Sequence, residues 1–177
     1  MISVQHKAQR VAVFVDVQNL YYSAKNLYSA KVNFNKVLEQ GVSDRHLVRA
    51  FAYVIKADVG AEKEFFEALT KIGFEVRTKD LQVFYGGAKK GDWDVGLCMD
   101  VVRLIPKIDA MVLVSGDGDY VDLLQYARSR GVRTEVIAFG KTCSSRLYDE
   151  ADEVVDMDED SKRFLIRTSF SPTRKGS

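Results

Sequence analysis

Hydrophobic and polar positions along the 177-residue chain alternate between strand-like and helix-like spacing. The run Val11-Ala12-Val13-Phe14-Val15 is apolar throughout, the pattern of a strand covered on both faces, and it ends at Asp16. A tyrosine-rich stretch over 20–28 predicts a helix, and 33–40 a second, short one. Residues 47–55, with Phe51, Tyr53 and Val54, predict the second strand. Over 61–72 the apolar positions Phe65, Phe66, Leu69 and Ile72 recur at helical spacing, and Gly73 suits the position just past that helix. Residues 74–77 predict a third strand, with 81–85 folding back on it as a hairpin. A glycine-rich basic loop over 86–91 leads into a helix over 92–105, which Pro106 closes. Residues 110–114 are again wholly apolar and run into Ser115-Gly116-Asp117-Gly118-Asp119. A helix over 120–130 ended by Gly131, a strand over 132–138, a short helix over 144–150 and a short strand over 153–155 complete the pattern. The expected unit is one domain over 10–156, with 157–177 a partly disordered tail.

Strands alternating with helices imply an α/β fold, a mainly parallel sheet with helices on both faces. Right-handed crossovers then favour a doubly wound sheet in the order 3-2-1-4-5. Ligands of such sheets bind at the carboxyl ends of the strands, where the winding reverses. Asp16 ends the first strand and Asp117 follows its neighbour, so both fall at that crevice. Asp119 begins the next helix at the same rim. The helix carrying Asp94 returns to the start of the 110–114 strand, so it too begins there. Topology alone thus gathers Asp16, Asp94, Asp117 and Asp119.

Two carboxylates about 5 Å apart at an effective dielectric of about 20 repel by roughly 3 kcal/mol. Four together call for a cation or for protonation. An oxygen-only site favours Mg²⁺ or Mn²⁺ over zinc. The two histidines, His6 and His46, lie away from these segments. A hard cation in a cleft points to phosphate chemistry. Asn19 and Ser115 are placed to support the acids. Lys89 and Lys90 are candidates for a nucleic-acid backbone, and Trp93, Tyr21, Tyr22 and Tyr85 for stacking on bases. Each has a plainer reading: helix caps for Asp92 and one of Asp117 and Asp119, a solvated loop for the lysines, packing for the aromatics. Asp100 and Asp152 read as structural.

Composition adds little. Net charge is +1, so any basic surface is local. No signal peptide or membrane-length apolar run is evident. Cys98 and Cys143 are far apart, without a metal-binding spacing, and read as packed thiols of a cytoplasmic protein.

Three motifs occur in order: Val13-Phe14-Val15-Asp16-Val17-Gln18-Asn19-Leu20, Lys89-Lys90-Gly91-Asp92-Trp93-Asp94-Val95-Gly96-Leu97 and Val114-Ser115-Gly116-Asp117-Gly118-Asp119-Tyr120. Together with Ser144-Ser145-Arg146-Leu147 and Ala151-Asp152, they resemble the NYN domains of the PIN-like nuclease superfamily, in particular the bacterial LabA-like group. The likeness spans about 10–156. It implies a three-layer α/β/α PIN-like (Rossmann-like) fold and an Mg²⁺- or Mn²⁺-dependent ribonuclease whose acids fall on Asp16, Asp94, Asp117 and Asp119. RNA is the implied partner, no membrane is expected, and a homo-oligomer is compatible with the sequence. Competing readings are a non-catalytic nucleic-acid or protein-binding module on the same fold, and another metal-dependent phosphotransfer enzyme. A haloacid-dehalogenase-type phosphatase fits poorly, since position 18 is Gln18 rather than aspartate.

Overall fold

A computed structural model of the chain describes residues 5–56, 62–87 and 89–167, with the side chains of Lys89 and Lys90 outside that description. In chain order the elements are β1 (Arg10–Asp16), α1 (Val17–Tyr28), β2 (Lys31–Val32), α2 (Phe34–Val42), β3 (His46–Lys56), α3 (Glu62–Ile72), β4 (Glu75–Asp80), β5 (Gln82–Val83), β6 (Lys89–Lys90) and α4 (Asp94–Leu104). They continue with β7 (Ala110–Val114), α5 (Val121–Ser129), β8 (Arg133–Ala138), α6 (Ser145–Glu150), β9 (Glu153–Asp156), α7 (Ser161–Phe164) and β10 (Leu165–Ile166).

The main sheet is parallel throughout, in the order β4-β3-β1-β7-β8-β9. This is the order read from the sequence, extended by β9 at one edge. The wholly apolar runs occupy the centre because they alone can be covered on both sides: 11–15 and 110–114 are completely buried. Val11, Val13 and Val15, with Val112 and Val114, pack under α1, α2 and α3. Ala12 and Phe14, with Met111 and Leu113, pack under α4, α5 and α6. The result is three layers.

Beneath the first of these faces sits a buried ion pair. Arg45, just after α2, reaches Glu135 of β8 through two N–H···O contacts of 2.8 Å, and the two side chains are 1% and 7% exposed. The same guanidinium donates to the carbonyls of Gly41 at 2.8 Å and Val42 at 3.1 Å. Helix α2 is thereby tied to the sheet through its C-terminal carbonyls, which lack partners within the helix.

Two expectations are corrected. The 81–85 segment does not pair with the third strand; β5 pairs antiparallel with β6 in a ribbon of its own. The edge strand β4 runs on to Asp80, which takes the chain past the point where it could turn back on itself. The proposed tail also belongs to the fold as far as residue 167. Met157 and Phe164 are buried in the core, and β10 pairs antiparallel with β2. The acidic residues at this junction supply acceptors: Asp156 takes the N–H groups of Gly140 and Asp158, each at 2.8 Å, and Asp158 takes that of Lys141 at 2.8 Å. Residues 168–177 lie outside the described residues.

The Asp156 contact fixes a glycine. A Cβ on Gly140 would stand 2.1 Å from Asp156 Oδ2. Gly140→Ala is therefore expected to destabilise the protein by about 1–3 kcal/mol, read as a lower urea midpoint with an unchanged slope. An unchanged midpoint would show that Asp156 is not fixed there.

Candidate active site

Each candidate acid stands where a strand gives way to a helix. Asp16 is the last residue of β1 and the N-cap of α1, its Oδ1 accepting the Asn19 N–H at 3.2 Å. Asp117 caps the single turn Gly118–Tyr120, accepting the Asp119 N–H at 2.9 Å. Asp94 opens α4, with Trp93 at the cap position. Capping and site-building are therefore not alternatives for Asp117. The approach of the 115–117 loop to its neighbour demands a glycine: a Cβ on Gly116 would lie 3.0 Å from Cys143 Cα and 3.2 Å from the Thr142 carbonyl.

Asp16, Asp94 and Asp117 come together, each offering a carboxylate oxygen within 4.8 Å of the others. Asp119 is not in this group. Its side chain is exposed, and what it supplies to the group is its backbone N–H and a negative field felt by Asp94. Ser115 is fully buried; its Oγ donates toward Asp16 Oδ2 at 3.4 Å and accepts the Asp117 N–H at 3.2 Å. Asn19 Oδ1 accepts the Gly116 N–H at 3.0 Å, locking α1 to the loop that carries Asp117.

The residue that sequence reasoning missed is Tyr120. Its ring is fully buried, and its hydroxyl lies 3.1 Å from Asp94 Oδ1 and 3.3 Å from Asp16 Oδ2. The available signal was its place directly after Asp119, at the rim where helix starts collect. One hydroxyl hydrogen serves two carboxylates.

Burial raises the Asp16 pKa to about 6, against the Asn19 N–H and with the help of the Asp94 charge. Burial also raises that of Asp94, aided by the charges of Asp117, Asp92 and Asp119. The Tyr120 hydroxyl is pushed well above its ordinary value by burial and by the two acids, so it stays a donor. Burial lifts the Cys98 thiol to about 11, which makes it a packed, unreactive group.

The acids lie in a cleft of about 340 Å³. Gln18, Asn19 and Tyr22 of α1 form one wall, and Asp92 and Trp93 another. Trp93 is anchored as well as lining: its Nε1 donates to the Val54 carbonyl at 3.0 Å and its ring leans on Tyr53 at 5.3 Å. Tyr21 and Tyr22 are half-exposed, and Tyr85 is fully exposed outside the cleft lining. Lys89 and Lys90 form β6, two residues before Asp92. Asp100 and Asp152 are structural, Asp100 accepting the Tyr53 hydroxyl and Asp152 the Thr134 N–H.

The donor set fits a hard divalent ion. Oxygens held at 2.0–2.1 Å from one octahedral ion are at most about 4.2 Å apart, so the observed spread needs only small side-chain rotations. The N-termini of α1 and α4 also point at the cleft, offsetting part of the negative charge.

The chain is 23% identical over 171 residues to the low amplitude and bright protein LabA of Synechococcus elongatus, covering 92% of this chain and 90% of that one. It is 26% identical over 153 residues to the uncharacterized protein MJ0482 of Methanocaldococcus jannaschii, of which it spans only 56%. A crystal structure of a Vibrio parahaemolyticus protein of unknown function, VPA0982, superposes with a TM-score of 0.82 at 32% identity, covering 93% of this chain and all of that one. The NYN domain model matches residues 10–158, and the chain belongs to the NYN domain family, a group of PIN-like nuclease domains.

Proposed function

We propose that this protein is a divalent-metal-dependent ribonuclease that hydrolyses RNA phosphodiester bonds in the Asp16–Asp94–Asp117 cleft. One observation carries the reading: three acids from three separate elements converge although their mutual repulsion opposes it. An Mg²⁺ or Mn²⁺ ion, when bound, ionises a water and offsets charge on the phosphate oxygens. Asp16, Asp94 and Asp117 would hold the ion. Asp119 stands outside this set and adds negative field. Ser115 and Asn19 fix the carboxylates and their loop, and the Tyr120 hydroxyl orients Asp94 against Asp16. Tyr22 and Trp93 offer ring faces to bases, while Lys89 and Lys90 on β6 neutralise backbone phosphate. None of the described helices is long and apolar enough to cross a membrane.

The test is cleavage of labelled RNA with Mn²⁺ by the parent protein and by Asp117→Asn. A loss of about 10²-fold or more is expected in the variant. Equal cleavage by both refutes the assignment. Binding without turnover, indifferent to Asp94→Asn, returns the protein to the class of binding modules.

A further inference from the structure

The sheet side that carries α4, α5 and α6 is left open at its β4 edge. Register sets Phe51 beside Glu75, Tyr53 beside Arg77 and Ile55 beside Lys79. Helix α4 packs over β3 and touches β4 through Asp100. There Asp100 accepts the Tyr53 hydroxyl at 2.9 Å and meets Arg77 at 3.2 Å and Arg103 at 3.3 Å. Beyond it, Arg49, Lys79 and Arg103 are exposed with Arg77 partly so, and Lys79 leans on the 92–93 segment, donating to the Asp92 carbonyl at 3.4 Å.

Three of the four cations are held in place by rings. The Arg49 and Arg77 guanidinium carbons stand 4.6 Å and 5.2 Å from the Phe51 ring centre, and Lys79 Nζ stands 4.4 Å from that of Trp93. Arg49 is also paired with Glu75 at 2.7 Å. Four cations thus face two carboxylates, on a protein whose net charge is only +1. Each guanidinium has five N–H donors, so these pairings leave donors directed outward. Side chains already ordered by rings and ion pairs lose less freedom when an anion binds.

The patch is continuous with the cleft, because Trp93 carries Lys79 on one side and lines the cleft beside Asp94. From Lys79 down to the level of Glu75 it extends about 13 Å along the strand. We propose that this uncovered basic face is the track for the phosphate backbone of the RNA strand where it leaves the cleft, a reading that rests on the nuclease assignment.

Binding is measured without metal in the Asp117→Asn background, so that turnover plays no part, using a 20-nucleotide and a 4-nucleotide single-stranded RNA. Lys79→Gln with Arg103→Gln weakens the 20-mer about tenfold. It also flattens the slope of log K against log salt by about 0.7 for each cation removed. The 4-mer, which fills only the cleft, changes little. Glu75→Gln acts in the opposite direction and tightens the 20-mer, an outcome that misfolding cannot mimic. Equal 20-mer affinity in parent and double variant overturns the proposal, as does an equal loss for both lengths. Displacement of the 20-mer by polyglutamate of matched charge, at matched concentration, also overturns it and reassigns the face to acidic protein. Face-dependent binding by a parent protein that cleaves no RNA upholds the track while rejecting the nuclease assignment.

Discussion

Asp16→Asn is expected to lower metal-dependent RNA cleavage by about 10³-fold and, at pH 7 without metal, to raise the melting temperature. Loss of activity follows from removing a charged oxygen from the three-acid set, where interaction with a divalent ion is worth several kcal/mol. The gain in stability follows from linkage. The folded-state pKa of Asp16 is about 6, above its ordinary 3.8. Between those values the folded protein keeps a proton that the unfolded chain has released. The stability associated with this group is therefore complete below about pH 4, is lost as pH rises through about 6, and stays lost at pH 7. With allowance for partial exposure the loss is on the order of 2 kcal/mol, or roughly 5 °C in a chain of this size. Asparagine keeps an acceptor for the Asn19 N–H and carries no charge to desolvate. Melting curves in EDTA across pH 4–8, repeated with Mn²⁺, check both halves. The parent should lose stability with rising pH and regain it with Mn²⁺; the variant should show both effects more weakly, because Asp94 keeps its own raised pKa. A variant less stable than the parent at pH 7 in EDTA would contradict the electrostatic account.

The second large effect lies at the other end of the sheet. Glu135→Ala leaves the Arg45 guanidinium buried without its counter-charge, and Arg45 is 1% exposed. Breaking a buried pair from one side is expected to cost about 3–5 kcal/mol, lowering the melting temperature by about 10 °C or more. Glu135 also accepts from Arg133 Nε at 2.9 Å, so a second cation loses a partner. Replacing both members with apolar residues, as Arg45→Met with Glu135→Leu, should cost far less, since no buried guanidinium loses its counter-charge and Arg133 keeps Glu153. Urea unfolding of the three proteins measures this. If the double variant were as unstable as Glu135→Ala, packing rather than charge would be responsible.

What could be read in advance depended on how strongly a residue's role is tied to chain order. The central strands were legible because a run such as 110–114, apolar at every position, suits only a strand covered twice. Strand order then carried Asp16, Asp94 and Asp117 to one rim. Asp119 was drawn into the same set because topology locates a turn but not the direction of each side chain on it. Residues two apart on a tight 3₁₀ turn diverge, and Asp119 faces solvent. Tyr120 escaped notice because a tyrosine at a helix start has no periodic signature; its role comes from burial between two acids. The β5–β6 pairing is only two residues long and leaves no pattern that selects its partner.

The C-terminal segment bears on where this domain can be cut. The family match ends at residue 158, yet the Phe164 carbonyl accepts the N–H of Asn33 at 2.7 Å, and Asn33 is the N-cap of α2. The Phe164 ring fills part of the core, and the next two residues pair with Lys31 and Val32. A polypeptide stopped at the family boundary would open a hole beside α2 and bare the edge of β2. Anyone excising a minimal domain from a larger fusion should therefore carry the chain through Ile166.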